Sequence, residues 1–172
     1  MKTLDTPRLT LRPFTTADVA AFYRMGSEPE IIRYAQSQPF ASLEDALDKM
    51  HELPLADYAT VGYGRFACVW KATGQVIGFS GLKYLPELDE TELGYRLFPE
   101  FWGMGIATEA GQAALGFTQE LGLDHVISLI HPDNAGSIGV ARKLGLRWHD
   151  DIAHPGLDVP LIHRYRRDFP SN

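Results

Sequence analysis

The stretch ELGYRLFPEFWGMGIATEA, Glu92 to Ala110, constrains this chain more than any other. An apolar, strand-like run closes at Pro99 and gives way to a glycine-spaced loop, Gly103-Met104-Gly105-Ile106-Ala107. The loop opens straight into a helix predicted from Thr108 onward. Small residues at a helix start aim several backbone N–H groups at one point, and the positive end of the helix dipole reinforces them. Such a turn binds phosphate without needing a lysine, so the segment predicts a site for a phosphorylated ligand.

Three phosphate loops can be compared with it. A P-loop requires a Gly-Lys pair, and the sequence contains none. A dinucleotide fingerprint requires Gly-x-Gly-x-x-Gly at the first βα turn. Here Thr108 stands where the third glycine belongs, although Asp124 lies near the expected acidic position. The third is the pyrophosphate loop of the GNAT acyltransferases, Gln/Arg-x-x-Gly-x-Gly/Ala, which falls on Trp102 to Ala107 with tryptophan in the first position. The run FWGMGIATEA resembles the Tyr/Phe-Trp-Gly-x-Gly-x-Ala-Thr-Glu-Ala signature of the RimJ/RimL-type N-acetyltransferases within that family. A second block, His131-Pro132-Asp133-Asn134-Ala135-Gly136-Ser137 continuing through Val140, Lys143, Leu144 and Gly145, resembles the same group. So does the opening Thr6-Pro7-Arg8-Leu9-x-Leu11-Arg12-Pro13. The three blocks occur in the family's order and spacing across nearly the whole chain.

Composition fits this resemblance. A chain of 172 residues with 45% hydrophobic and 22% charged content suits one domain with its own core, here residues 1–172. No apolar run approaches the roughly 20 residues of a membrane span. The N-terminus lacks an apolar signal core, and the single cysteine, Cys68, reads as a small core filler in an apolar strand. The expectation is a cytoplasmic protein. A net charge of −6 argues against nucleic acid and hints at cationic, amine-bearing substrates. The one basic patch, His163 to Arg167, alternates like a terminal strand with a solvated face. The six histidines show no metal spacing, so no metal site is expected. His131 reads more simply as a packed histidine at a strand end.

Local signals give the order of elements. Strands are predicted over 8–14, 64–71, 75–84, 92–98, 125–131, 146–150 and 159–169. Helices are predicted from Thr16-Ala17-Asp18 to about Met25, from a capping-box-like Ser42-Leu43-Glu44-Asp45, over 108–121, and over 134–144 with Gly145 closing the last. The irregular segment Glu28 to Ala41, bearing Tyr34 and Phe40, suits either a substrate wall or a surface loop. This order is the one expected of the GNAT fold: an α/β domain on a mixed, twisted sheet of about seven strands flanked by about four helices.

The resemblance implies a site and a reaction. The strands 92–98 and 125–131 would splay, and the pantetheine arm of acetyl-CoA would lie between them against the backbone of Tyr95, Arg96, Leu97 and Phe98. Trp102, Gly103, Met104, Gly105, Ile106, Ala107 and Thr108 would cradle the pyrophosphate, with Asn134, Ser137 and Lys143 completing the cofactor site. Asn134 also reads as a helix N-cap and Ser137 as a helix-surface hydroxyl. Ser137 is the candidate acid for the departing thiolate, with Tyr165 and Tyr95 behind it. Glu92, the candidate base, could equally be a solvent-facing strand residue, and Glu109 reads as a complement to the helix dipole. The implied activity is acetyl-CoA-dependent N-acetylation of a primary amine by direct attack. A protein N-terminal α-amine is the acceptor expected of the RimJ/RimL group, and free amino acids, polyamines and other small amines are the alternatives. A CoA-binding protein without turnover and a Rossmann-type nucleotide site are readings of other classes. A monomer or a homodimer fits equally.

Overall fold

The computed structural model describes residues 1–35, 38–153 and 159–170. The chain lays down β1 (Leu4–Asp5) and β2 (Leu9–Pro13), then α1 (Val19–Ser27), α2 (Pro29–Ile32), α3 (Leu43–Met50) and α4 (Ala56–Thr60). It enters the sheet again as β3 (Arg65–Trp70), β4 (Gln75–Leu85) and β5 (Glu90–Leu97). The remainder is α5 (Ile106–Glu120), β6 (His125–Ile130), α6 (Ala135–Lys143), β7 (Arg147–Ile152) and β8 (Ile162–Asp168). The strands form one 8-stranded sheet in the order β1-β2-β3-β4-β5-β6-β8-β7. Every neighbouring pair is antiparallel except β5 and β6, which run parallel.

The mixed sheet agrees with the sequence reading, and the differences are local. The strand beyond the expected seven is the two-residue β1, too short to show alternation. The short helices α2 and α4 also escape periodicity. Between α3 and α4 the helix widens into a π-type turn, His51–Leu55, around Pro54, whose ring cannot enter a regular helix. At the first helix, Thr15 rather than Thr16 is the N-cap, in a capping box with Asp18. Asp18 is also clasped by both terminal nitrogens of Arg12, each at 2.8 Å. Ser42 caps α3 as expected, accepting the Asp45 N–H at 3.1 Å, and Gly145 closes α6 with φ of 79°.

Each face of the sheet carries its own core. On one face α5 buries Ile106, Ala110, Ala114 and Leu115 against Leu93, Leu97 and Val126. Each fully buried aliphatic side chain there contributes on the order of 1.5–3 kcal/mol. On the other face α1 and α3 bury Phe22, Met25, Ala46 and Met50 against Ala67, Phe79 and Phe98. Cys68 is fully buried in the first core, and burial pushes its thiol well above its ordinary value. The cations of β8 are engaged by the protein itself. Arg164 pairs with Asp150, Arg166 with Asp168 and His163 with Asp151, while Arg167 donates to the Leu144 carbonyl. Among the described residues no helix is long and apolar enough to cross a membrane.

Candidate active site

The parallel strands β5 and β6 pair at a single position, Glu92 opposite Ile127. Ser128 fastens the junction by donating to the Leu93 carbonyl at 2.7 Å. Beyond it the strands part, and a cavity of about 1220 Å³ opens along β5. Because backbone groups alternate sides along a strand, the Leu93 contact toward β6 puts those of Tyr95 and Leu97 on the same side. Arg96 and Phe98 face β4, where the Phe98 N–H bonds the Ile77 carbonyl at 2.9 Å. Of the four residues expected to offer their backbone to a ligand, only Tyr95 and Leu97 face the opening. The Leu97 carbonyl is itself taken by the Trp102 indole N–H at 2.8 Å. Trp102 thus moors the following loop to the end of β5, while half its surface stays exposed.

The glycine loop stands at one end of this cavity. Gly103 and Gly105 adopt φ of 72° and 77°, a left-handed conformation that side chains disfavour. A Cβ on Gly103 would meet nothing within 4 Å, so the space over the loop is open. The helix starts at Ile106, two residues earlier than expected, because Gly105 completes the turn. Ile106, Ala107 and Thr108 are therefore helical residues whose N–H groups have no carbonyl a turn behind them. Glu109 is the first of this segment whose N–H finds a backbone acceptor, the Gly105 carbonyl at 3.0 Å. Open space in front of a run of undirected N–H groups fits a diphosphate.

A brace holds the loop from behind. The Glu109 carboxylate accepts from the Thr6 hydroxyl at 2.6 Å, the Arg8 N–H at 2.9 Å and the Arg8 guanidinium at 2.6 Å. Arg8 in turn donates to the Met104 carbonyl at 2.9 Å. Burial alone would raise the Glu109 carboxyl, but these bonds hold it below its ordinary value. Glu109 is thus a structural contact, as expected, and the opening block Thr6 to Arg8 and the loop signature are one cluster in space.

Across the gap, Asn134 caps α6 by accepting the Ser137 N–H at 3.1 Å. Its amide oxygen is thus used locally. Asn134, Ser137 and Lys143 all line the cavity. The Tyr95 hydroxyl reaches the Ser137 carbonyl at 3.3 Å, and burial pushes its phenol up to about 12. Tyr165 does not belong here. It is 4% exposed, sits in the core opposite Ser128, and is absent from the cavity wall. Its place on an inward-facing strand position made it a core residue, which alternation alone does not separate from a site residue.

Glu92 lines the cavity on the α1 and α3 face, and its carboxylate lies 3.9 Å from where a Gly94 side chain would begin. It thus overlooks the point where β5 turns its backbone to the gap. His131 stands in the cavity wall too, its ring 5.0 Å from that of Tyr34 and its Nδ1 accepting the Asp133 N–H at 3.1 Å. Tyr34 and Ile31 place the segment after α1 against the cavity, although Gln36 and Ser37 lie outside the described residues. The sequence reading missed Arg65, Phe79 and Lys83 in the same wall, because each looks like an ordinary strand residue. Among the described residues no group of three or more His, Cys, Asp or Glu side chains is placed to hold a metal ion.

Comparisons with known proteins agree with this arrangement. Residues 8–147 match the family model of the acetyltransferase (GNAT) domain. An uncharacterized N-acetyltransferase, p20, of Bacillus licheniformis is 33% identical over 98% of this chain and 99% of its own. A crystallised acetyltransferase from Agrobacterium tumefaciens is 29% identical, covering 98% of this chain and 95% of its own, with a TM-score of 0.83. RimL, a ribosomal L7/L12 α-N-protein acetyltransferase solved in complex with coenzyme A, shares the fold. It is 18% identical, with a TM-score of 0.82 over 99% of this chain and 100% of its own. With the splayed strands, the glycine loop and this family match in agreement, the chain belongs to the GNAT family and is an N-acetyltransferase.

Proposed function

We propose that the protein transfers an acetyl group from acetyl-CoA to an α-amine, with a protein N-terminus as the first candidate acceptor, by direct attack. The observation that carries this reading is the single-point pairing of β5 and β6, which leaves the backbone of Tyr95 and Leu97 facing a cavity that ends at the glycine loop. Acetyl-CoA supplies the activated thioester. The N–H groups of 103–108 hold its diphosphate, and the backbone groups of Tyr95 with the N–H of Leu97 align its pantetheine arm. Asn134, through its remaining NH₂ donors, Lys143 and Ser137 close the other wall.

Glu92 is the base that receives the amine proton. An α-amine near pKa 8 gives up its proton at pH 7 for about 1.4 kcal/mol, whereas a lysine amine near 10.4 costs roughly 4.6. One carboxylate, directly or through a water, suffices for the former. Ser137 or Tyr95 returns a proton to the departing sulfur.

Thiol release in the presence of acetyl-CoA and α-amine peptides tests the reading. Glu92→Gln should lower kcat by about 10²- to 10⁴-fold and leave the affinity for acetyl-CoA unchanged. An unaltered kcat would take Glu92 out of the reaction.

A further inference from the structure

The end of the cavity away from the glycine loop has a floor assembled from three strands. Arg65 of β3, Gly81 of β4 and Gly94 of β5 lie side by side in one row, with Lys83 opposite Glu92 on one side of it and Phe79 opposite Arg96 on the other. All share one sheet face, since residues two apart do. A Cβ on Gly81 would strike the Gly64 carbonyl at 2.8 Å, so β3 and β4 approach too closely there for any side chain. The result is a hollow in the middle of the floor, ringed by Arg65, Phe79, Lys83, Glu92 and Arg96.

Its charge is unbalanced. Three cations face one carboxylate, and the other charged residues at this end, Glu30, Arg33 and Glu87, stand exposed at the rim. Arg65 has a buried Nε with no hydrogen-bond partner. Lys83 makes no hydrogen bond or ion pair with any described residue, not even with Glu92 directly across from it. Asp57 of α4 faces Arg65 and Lys83 from outside the cavity wall, and burial pushes its carboxyl up. Burial first, and repulsion from Arg65 second, pull Arg96 down to about 10, against the pull of Glu92. The guanidinium groups of Arg65 and Arg96 lie 5.1 and 5.8 Å from the Phe79 ring centre, which fixes their directions. The Tyr58 hydroxyl donates to the Arg65 carbonyl and so holds the start of β3 in place. The Arg96 guanidinium is partnered, donating to the Met25 carbonyl at 3.1 Å, whereas the Arg65 Nε and the Lys83 ammonium have no partner among the described residues, and half-buried cations in that state are costly unless an anion joins them.

We propose that this floor binds a carboxylate carried beside the amine of the acceptor. The assignment rests on the acetyltransferase reading, and it names the substrate class: α-amines with an acid a few bonds away, and not polyamines. Facing residues on neighbouring strands set their Cβ atoms about 5 Å apart. An amine at Glu92 and a carboxylate at Lys83 and Arg65 therefore belong to one small amino acid or one acidic chain terminus. The overall negative charge of the protein, which on its own favours cationic amines, is overruled locally.

The test is a panel of acceptors with thiol release as readout: free L-amino acids, the matching amino-acid amides, N-terminal peptides with Asp or Ser second, and spermidine. Carboxylate-bearing acceptors should exceed their amide or serine counterparts by about tenfold or more in kcat/KM. Lys83→Met and Arg65→Gln should each raise KM for the best of them about tenfold, leave KM for acetyl-CoA alone and erase the preference over the amide. Arg65→Lys, which keeps the charge, should restore part of it and guards against a folding defect. Preference for free amino acids assigns the backbone carboxylate, and preference for the Asp peptide assigns the side chain; either supports the site. Amides, serine peptides or spermidine doing as well, or variants that keep the preference, overturn it. Acetyl-CoA raising the melting temperature while no carboxylate-bearing amine is accepted overturns the carboxylate site alone. No melting shift and no thiol from any acceptor overturns the acetyltransferase reading instead.

Discussion

The two ends of the cavity are built in opposite ways. The glycine loop is one contiguous segment that presents main-chain N–H groups, and its side chains either turn into the core, as Ile106 does, or out to solvent, as Met104 does. The opposite end is made of side chains from three strands, brought together by register and set around an aromatic ring. A backbone site needs space and fixed dihedral angles, so it is sensitive to any added Cβ and supplies no side-chain charge of its own. A side-chain site is sensitive to charge and can change its ligand through single substitutions. The two ends of the cavity are thus made of different materials.

Gly105→Glu breaks the first half most severely. It places a side chain on a left-handed backbone position and a negative charge at the proposed diphosphate site. Wild-type protein with acetyl-CoA at 100 times its dissociation constant should gain about 2.7 kcal/mol, roughly 5–11 °C in melting temperature. The variant should lose the whole shift. Met104→Ala is the matched control: its side chain is exposed, and only its carbonyl is used, by Arg8. It should keep the shift to within about 1 °C. Equal losses in both variants would mean that the loop binds through side chains.

The same contrast explains what could be read from the residues in advance. The strand–loop–helix unit is local, so glycine spacing and apolar patterning announced it, and α5 was misplaced only by its first turn. Asn134 was recognisable as a cap from the helix it opens, and as a cavity residue only through the family resemblance. Tyr165 shows the limit: β8 alternates, but alternation does not say which face meets the core. Arg65, Lys83 and Arg96 are separated by up to a whole hairpin and carry no shared motif. They meet through the pairing of Arg65 with Gly81 and of Phe79 with Arg96, which no linear spacing encodes.

The brace of Thr6, Arg8 and Glu109 gives a smaller effect that sharpens the comparison, because it supports the backbone half without touching ligand. Glu109→Gln should cost about 1–3 kcal/mol of stability at pH 7, since two charge-assisted bonds weaken. The bound form of Glu109 is held below its ordinary value near 4.5. Its stabilising contribution is therefore complete above that value and is lost as pH falls through the lower, folded one. The gap between wild type and Glu109→Gln in chemical denaturation should accordingly close on acidification below about pH 4.5. A gap that persists in acid would mean that the carboxylate charge contributes nothing to the brace.

The smallest expected effect lies where the two halves meet, at Tyr95 and Ser137. A thiol near pKa 8.5 leaves readily, so an acid that protonates it is helpful and not decisive. The Tyr95 phenol, pushed up to about 12, stays protonated at neutral pH and remains a far better proton donor than a serine hydroxyl. Its 3.3 Å contact to the Ser137 carbonyl is long for a hydroxyl donor, so little is lost when the proton is directed elsewhere. Tyr95→Phe should lower kcat by up to about tenfold, and Ser137→Ala by about threefold or less, with binding of acetyl-CoA unchanged in both. The order matters more than the sizes. If Ser137→Ala is the more damaging, the hydroxyl on α6 is the donor, and the tyrosine on β5 serves only to hold that helix against the parted strands.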